Sequence, residues 1–529
     1  MTSPSPVIVV GSGPSGVSVA LALLEGGVDV HMIDAGDEPS SVPALDRPTL
    51  AELRTGAPGA AEHLLGSDLS GLRDMREYSP KLRTAAEPGT VSEYTRRNRI
   101  EAENFRLVGG LSRGGLSNIW GAVASVFDAE DLADSPISYD DLLPSYRVIA
   151  ERIGISGSQD DDMTAFHGVD LPLQPPLELS PTAQLLWDNY QHRKPDPGFR
   201  LGHSRNAVLS EDHRGRGACS LDMMCMWGCR RRAIYSAADD VAELLKKPGF
   251  TLQSNVVIDK IVRKDGQYLV IGTDTAGAQL RISASRVILA AGTLASSRLV
   301  LDHLDRLDAQ IPLLTCPSMA MALWMPGRLG DPLAERGYGM AQLSFSMDLA
   351  NPENASVLGQ LYTAEALAVP DLVAHSPFTR PGSIKLMRGL MSGLLLGFVY
   401  FPGKFSQNRL WLTRQPDGKT TLRVKGGYAE TFPAAVRSVR KKLARQFRRA
   451  GAWWLPGSTK VYEPGAEVHY GGSLPMGSAT TTSGEVIGAE GLYVVDGSIL
   501  NTMPAKHHTV TMMANADRIG RILAKRLRK

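Results

Sequence analysis

The 529-residue chain is short of several things, and each shortage removes a class of function. Its formal net charge is only +2, too near neutral for a protein that holds nucleic acid or an anionic surface, and its basic residues gather only locally. No apolar run is long enough to cross a bilayer. The most hydrophobic segment, Ser392 to Phe401, is far too short and reads as a core strand, so no transmembrane segment is expected. Neither an internal repeat nor a low-complexity tract is present. An apolar strand already begins at residue 7, which leaves no room for a signal peptide and predicts a cytoplasmic protein. Cysteines number four, and inside the cell disulfides between them are improbable. With 43% apolar and 21% charged residues, what remains is a globular chain of two or more domains with a sizeable core. The one basic cluster, Arg437 to Arg449, alternates with Val436, Val439, Leu443 and Phe447 at helical spacing and reads as the solvated face of an amphipathic helix.

What is present begins with VIVVGSGPSG. Val7 to Val10 form a continuous apolar run, as a strand buried on both faces requires, and Gly11, Gly13 and Gly16 follow in GxGxxG spacing. Gly11 permits a tight turn, Gly13 lets backbone approach a pyrophosphate, and Gly16 lets a helix running to about Leu24 pack on the strand. That helix, opening at Pro14 and Ser15, aims its positive N-terminal end at the phosphates. A second apolar strand, Val28 to Ile33, ends at Asp34, where a carboxylate would accept ribose hydroxyls. Midway along, SNVVIDKIV, QYLVIGT, AQLRISA and SRVILAAG read as successive short strands ending near Gly292. No second strand-GxGxxG-helix unit follows for a nicotinamide cofactor, so electrons should come from the substrate itself.

Near the other end, His469 and His507 flank the run Asp496-Gly497-Ser498. A hydride leaves a carbinol carbon easily only when the hydroxyl proton leaves too, and an imidazole is a suitable acceptor.

The fingerprint, RGGLSNIWGA at 113–122, AAGTLASSRLVL at 290–301, HYGGSLPMG at 469–477 and LYVVDGSILNTMPAKHHTVTMMANADRIG at 492–520 occur in the order seen in the glucose-methanol-choline (GMC) oxidoreductases. The chain resembles that family over nearly its whole length. The resemblance implies an α/β fold: a Rossmann-type FAD-binding domain of the two-dinucleotide-fold type, with a discontinuous, sheet-built α+β substrate domain. On that plan residues 1–150, 206–312 and 466–529 would form the FAD-binding domain, and 151–205 and 313–465 the substrate domain. Gly11, Gly13, Pro14, Ser15, Gly16 and Asp34 would hold the ADP half of FAD, with Val257 near the adenine. Gly114, Gly115, Ser117 and Asn118 would lie along the pyrophosphate and flavin, with Gly292, Asp496, Gly497, His508 and Thr509 also at the cofactor, Asp496 and Gly497 near the ribityl chain. His469 falls on the family's catalytic histidine. His507 takes the partner position, which is Asn in some members, so His469 is the shared base and His507 would orient the substrate oxygen. His508 stands where the family often has Pro, which leaves open which of the two neighbours faces the flavin.

The expected activity is oxidation of an alcohol to a carbonyl by a small-molecule alcohol oxidase or dehydrogenase, with oxygen or a dye- or quinone-type acceptor. The segments 115–123 and 135–157 are most similar to members acting on sugars, glycosides or biosynthetic metabolites, which favours a polyhydroxylated substrate. A GMC-fold lyase and a flavoprotein electron-transfer subunit are the alternatives. Cys219, Cys225 and Cys229 lie in C-x5-C-x3-C spacing, similar to flavin-dependent sugar dehydrogenases that carry an iron-sulfur cluster, although Asp222 stands where relatives have a further Cys. The other reading is a structural turn of buried thiols. Met387, Met391, Leu394 to Leu396, Phe398, Tyr400, Trp453 and Trp454 either line the substrate pocket or fill a sheet core.

Overall fold

The computed structural model describes residues 6–37, 42–66, 92–349, 355–367, 372–373 and 379–528. At its centre is a five-stranded parallel sheet in the order Leu492–Val494, Val287–Leu289, Val7–Val10, Val30–Ile33, Phe250–Gln253. All four residues of the opening strand are buried, because parallel neighbours flank it and helices cover its faces. The sheet runs outward in both directions from this strand, so the strand ends diverge at Gly11. That topological switch is where an open α/β sheet places its ligand.

The opening helix, Pro14–Glu25, starts with Pro at its first turn and packs against the final helix, Thr509–Leu527. Small residues make the close approach possible. A side chain on Gly520 would lie 2.7 Å from Ala22 Cβ and 3.0 Å from the Val19 carbonyl oxygen, and one on Gly26 would overlap Ala524. Arg152, in the helix Tyr139–Ile153, is buried and joins Asp240 at 3.2 Å and the Ser18 hydroxyl at 2.6 Å, which ties two further helices to the first.

The expected mid-chain strands divide between two sheets. Val256–Lys264, Gln267–Asp274 and Gln279–Ala284 form a three-stranded antiparallel meander. The fourth, Val287–Leu289, leaves it for the parallel sheet. Its three apolar residues suit a strand buried on both faces, whereas the meander strands alternate. Arg298, in the helix Thr293–His303 that follows, is fully buried and donates to the Ile258 and Asp259 carbonyls at 2.8 Å, locking the two sheets together.

A seven-stranded antiparallel sheet forms a second layer, with Ser318–Trp324, Leu394–Tyr400, Ser356–Thr363, Leu343–Asp348 and Phe199–His203 adjacent in that order. Strand alternation sends Met319, Met321, Leu361, Leu395 and Val399 to one face, where the helices Pro181–Gln191 and Phe432–Arg449 cover them. Gln360, Tyr362, Phe398 and Tyr400 point to the other face. The Phe432–Arg449 helix buries Val436, Val439, Leu443 and Phe447 and exposes its cations, as its pattern requires. The strand Asn408–Arg414 lies in a separate four-stranded sheet, together with Ile100–Glu103. No helix among the described residues is long and apolar enough to cross a membrane.

Gly520→Leu is expected to cost roughly 1–3 kcal/mol through overpacking of the helix seam. Denaturant midpoints of the two proteins check this, and an unchanged midpoint would show that the seam can open freely.

Candidate active site

The ends of four parallel strands converge on the glycine loop. Gly11 takes φ +101°, and a side chain there would overlap the Ala290 carbonyl, so this turn accepts glycine alone. A side chain on Gly16 would overlap the Gly11 carbonyl oxygen. Gly13 is different. Its φ of −64° is ordinary, and a Cβ there would meet nothing within 4 Å. Gly292 likewise faces open space, and the only neighbour a Cβ on Gly115 would find is the Gly13 backbone at 3.6 Å. These glycines rim a cradle at the N-terminus of the opening helix, where unpaired N–H groups and the helix dipole favour an anion. The Ser15 hydroxyl is buried there with no partner. A dinucleotide pyrophosphate fits such a cradle.

Several predicted cofactor residues prove to brace the cradle. Asp34 ends its strand as expected, and its carboxylate accepts the Ser12 N–H at 2.6 Å and the Gly36 N–H at 2.8 Å. Ser12, absent from the sequence reading, also accepts the Gly114 N–H at 2.9 Å and so pins the second loop onto the first. Ser117 accepts the Ala237 N–H at 2.8 Å, and Asn118 accepts from Ser236 at 2.5 Å. Val257 follows Val256, whose N–H donates to the Asp34 carbonyl at 2.9 Å. Asp496 is buried beyond the strand Leu492–Val494 and accepts from Gly292 N–H, Ser296 Oγ, Ser498 N–H and Ser498 Oγ at 2.5–3.1 Å. It therefore fixes Gly292 relative to Gly497. Thr509 begins the final helix, and His508 stands just before it without a side-chain capping hydrogen bond.

The structure brings the histidines together. The His469 and His507 rings lie 4.6 Å apart at an edge-on angle of 74°, and His508 lies 5.6 Å from His469. Tyr400, at the end of its strand, sets its ring 5.4 Å from His469 and 4.8 Å from His507. The Gln360 amide nitrogen is 3.2 Å from each ring nitrogen of His507, and Tyr362 donates to the Gln360 carbonyl oxygen at 2.5 Å. His507 thus meets the seven-stranded antiparallel sheet. His508 turns the other way, its Nε2 3.2 Å from the place a side chain on Gly497 would take. His469 Nδ1 and His508 Nδ1 are buried without partners. Lys506, itself buried, forms ion pairs with Asp128 and Asp131 at 2.5 Å and anchors the loop before His507.

Burial holds all three imidazoles neutral. It pushes His469 well below the usual value, with His507 and His508 adding to the effect; His507 is pushed down to about 3 and His508 to about 4. Burial also pushes the Asp34 and Asp496 carboxyls up, against their hydrogen bonds.

Two sequence expectations change here. Of the apolar set, Tyr400 meets the histidines, and Phe398 lies on the same sheet face with its ring against Tyr362 and Tyr462. Met387, Met391, Leu394 and Leu396 join a small separate cluster, Leu395 lies in the helix-covered core, and Trp453 is half exposed with Trp454 at the sheet edge. Gln360 and Tyr362 were missed. Their signal was two polar side chains at alternate positions of the otherwise apolar strand VLGQLYT. The cysteine trio forms no disulfide, and among the described residues no group of three or more His, Cys, Asp or Glu is placed to hold a metal ion. Cys225 Sγ accepts the Gly339 N–H and Cys229 Sγ the Ala233 N–H, each at 3.2 Å, and burial pushes the Cys219 thiol up. These are the features of a structural turn.

Residues 406–516, which include His469, Asp496 and His507, match the GMC oxidoreductase family, and residues 4–55 match the FAD binding domain family. No curated protein sequence matches the chain. Among solved structures, pyridoxine 4-oxidase from Mesorbium loti is similar over 98% of this chain and 98% of its own, at 17% identity and a TM-score of 0.57. A formate oxidase from Aspergillus oryzae RIB40, in an arginine-to-alanine variant studied for its effect on FAD modification, is similar over 100% of this chain and 99% of its own, at 14% identity and a TM-score of 0.63. At such identities the likeness carries the fold.

Gly13→Val is expected to leave the protein folded and colourless, because the new side chain fills only the cradle. Gly11→Ala should instead cost a few kcal/mol of stability through strain and overlap. Visible absorbance and thermal midpoints separate the two outcomes, and a yellow Gly13→Val protein would refute the cradle.

The imidazoles also set a pH dependence. Their folded pKa values lie below the ordinary value of about 6.5, so the unfolded chain binds their protons first. Their contribution to stability is full above about pH 7 and is lost as pH falls from about 6.5 toward 4, with a slope of at most about 1.4 kcal/mol per unit for each ring. Acid unfolding should accordingly be less steep in His508→Asn, and an unchanged slope would contradict the assignment.

Proposed function

We propose that this chain, a GMC oxidoreductase with an FAD-binding domain at its start, oxidises an alcohol to a carbonyl compound at the meeting of His469 and His507. The open glycine cradle at the head of the first helix is the place for the FAD pyrophosphate. When bound there, FAD supplies the two-electron acceptor that takes a hydride from the carbinol carbon.

The observation that carries this reading is the pairing of two neutral imidazoles in a buried site roofed by the other domain. A neutral ring can accept the hydroxyl proton, which a protonated one cannot. His469 fills that role, with no protein partner on its buried Nδ1 to hold it elsewhere. His507 is suited to positioning. If one of its nitrogens accepts from the Gln360 amide, the other carries the proton and can donate to the substrate oxygen. The ring of Tyr400 fixes the angle between the two histidines. A lyase has no need of a proton acceptor paired with a hydride acceptor, which is why alcohol oxidation is preferred.

The face above the histidines offers more aromatic surface than hydrogen-bonding groups, namely Tyr362, Phe398 and Tyr400 against Gln360. This supports an alcohol with an apolar or aromatic body over the polyhydroxylated substrate expected from the sequence. Both similar structures are oxidases by name, and we assign oxygen as the acceptor: alcohol plus oxygen gives carbonyl compound plus hydrogen peroxide, with electrons and protons balanced.

Anaerobic mixing of the yellow protein with a panel of alcohols, followed in the flavin band, tests the reading. His469→Ala should slow flavin reduction by roughly a hundredfold or more while FAD stays bound. His507→Asn should cost far less, because an amide can still donate a hydrogen bond. The reverse order of severity would exchange the two roles, and a flavin that no alcohol bleaches would overturn the proposal.

A further inference from the structure

The helix Phe432–Arg449 commits one face to the core and leaves the other with no part in the chemistry above. Phe432, Val436, Val439, Leu443 and Phe447 are buried against the seven-stranded sheet. Arg437, Arg440, Lys441, Lys442, Arg445 and Arg448 are exposed, and the helix contains no acidic residue. None of these six side chains has an ion-pair or hydrogen-bond partner among the described residues. Only Arg449, in the last turn, meets an acid: it lies 3.7 Å from Asp196, which the Gln446 amide also holds at 2.5 Å.

Such a face works against the helix that carries it. Arg437, Lys441, Arg445 and Arg449 follow one another at four-residue spacing, and like charges so placed repel across a turn. The helix dipole favours cations only in the last turn, so it offsets Arg448 and Arg449 and leaves the rest uncompensated. The chain's formal net charge of +2, which speaks against an anionic partner for the molecule as a whole, averages over this local excess. A stripe of mutual repulsion without a resident counter-charge is complementary to an anionic surface outside the chain. What else the face carries decides which surface. Between the cations stand Ala434, Ala435, Ser438 and Ala444, with no exposed aromatic ring to stack on a base. The one amide of the helix, on Gln446, is buried and held by Asp196 and Arg193, so none is left to read a base edge. The face therefore responds to charge and not to sequence. Its cations fan over about 200° of the circumference along a cylinder about 27 Å long, a broad surface suited to many anions at once.

We propose that this face docks the protein on the surface of a bilayer rich in anionic phospholipid. The contact is electrostatic and reversible, because the apolar side of the helix is already covered by the sheet and has nothing to insert among the acyl chains. Docking is independent of the alcohol-oxidation reading, since none of the cations belongs to the site at His469 and His507.

The test is co-sedimentation of the full, FAD-loaded chain with vesicles of phosphatidylcholine alone or of phosphatidylcholine mixed with phosphatidylglycerol. The protein should pellet with the mixed vesicles and stay in solution with the neutral ones. Raising salt from about 0.1 M to about 1 M shortens the screening length from about 10 Å to about 3 Å and should release it. Each cation near such a surface contributes about fivefold to binding, so Arg437→Gln, Lys441→Gln and Arg445→Gln combined should weaken it about a hundredfold. The same triple variant should keep its FAD and its thermal midpoint, since it removes only exposed charges that repel one another. Arg437→Lys with Arg445→Lys, which preserves charge, should bind as the unaltered protein does. Equal pelleting with both kinds of vesicle, binding that survives high salt, or a triple variant that binds undiminished would overturn the proposal. So would binding to duplex DNA without binding to the mixed vesicles, which would assign the face to a nucleic acid instead.

Discussion

The arrangement depends on one backbone contact, the approach of the Ala290 carbonyl to Gly11 at the centre of the parallel sheet. Strands Val7–Val10 and Val287–Leu289 are remote in sequence, and their pairing brings their following turns almost into collision. Only a residue without Cβ and with a left-handed φ can occupy Gly11. Once it does, the chain is directed into the opening helix, and Gly13 and Gly292 come to rim one cradle. Asp496 extends the constraint by holding Gly292 on one side and the Gly497 turn on the other. The segment from His469 onward is then threaded between Leu314 and residues 497–499 by backbone hydrogen bonds.

That threading explains how the glycine cradle and the paired histidines come to share one place. Thr293, at the head of its helix, donates to the Tyr470 carbonyl at 2.7 Å, and the Lys506 ion pairs hold the loop that ends at His507. Each histidine is therefore set by the same elements that build the nucleotide cradle, while Gln360, Tyr362 and Tyr400 arrive from the other sheet. Burial at this junction keeps the imidazoles neutral.

The nucleotide half was legible in the linear chain because its requirements are local: an apolar strand, glycines at fixed spacing, a helix start and a terminal acid are contiguous between Val7 and Asp34. That the strand Val287–Leu289 leaves its three predecessors for the parallel sheet was not legible, because a short apolar run carries no record of its partner. The apolar set around residues 387–400 was ambiguous for a related reason. Alternation marks two faces of a strand, and only packing decides which face meets helices and which meets a site.

By itself the sequence determined the dinucleotide loop and the amphipathic helix at 432–449, since each is written in the spacing of residues close along the chain, while the nomination of His469 and His507 came from the resemblance of their motifs to those of a family. Tertiary structure alone decided that His507 rather than His508 meets the seven-stranded sheet, that Asp496, Ser117 and Asn118 brace the chain, and that Gln360 and Tyr362 gather near the histidines. These are contacts between segments up to hundreds of residues apart. Their partners are fixed by strand register and by which polar atoms the fold leaves buried, and neither quantity exists until the sheets have assembled.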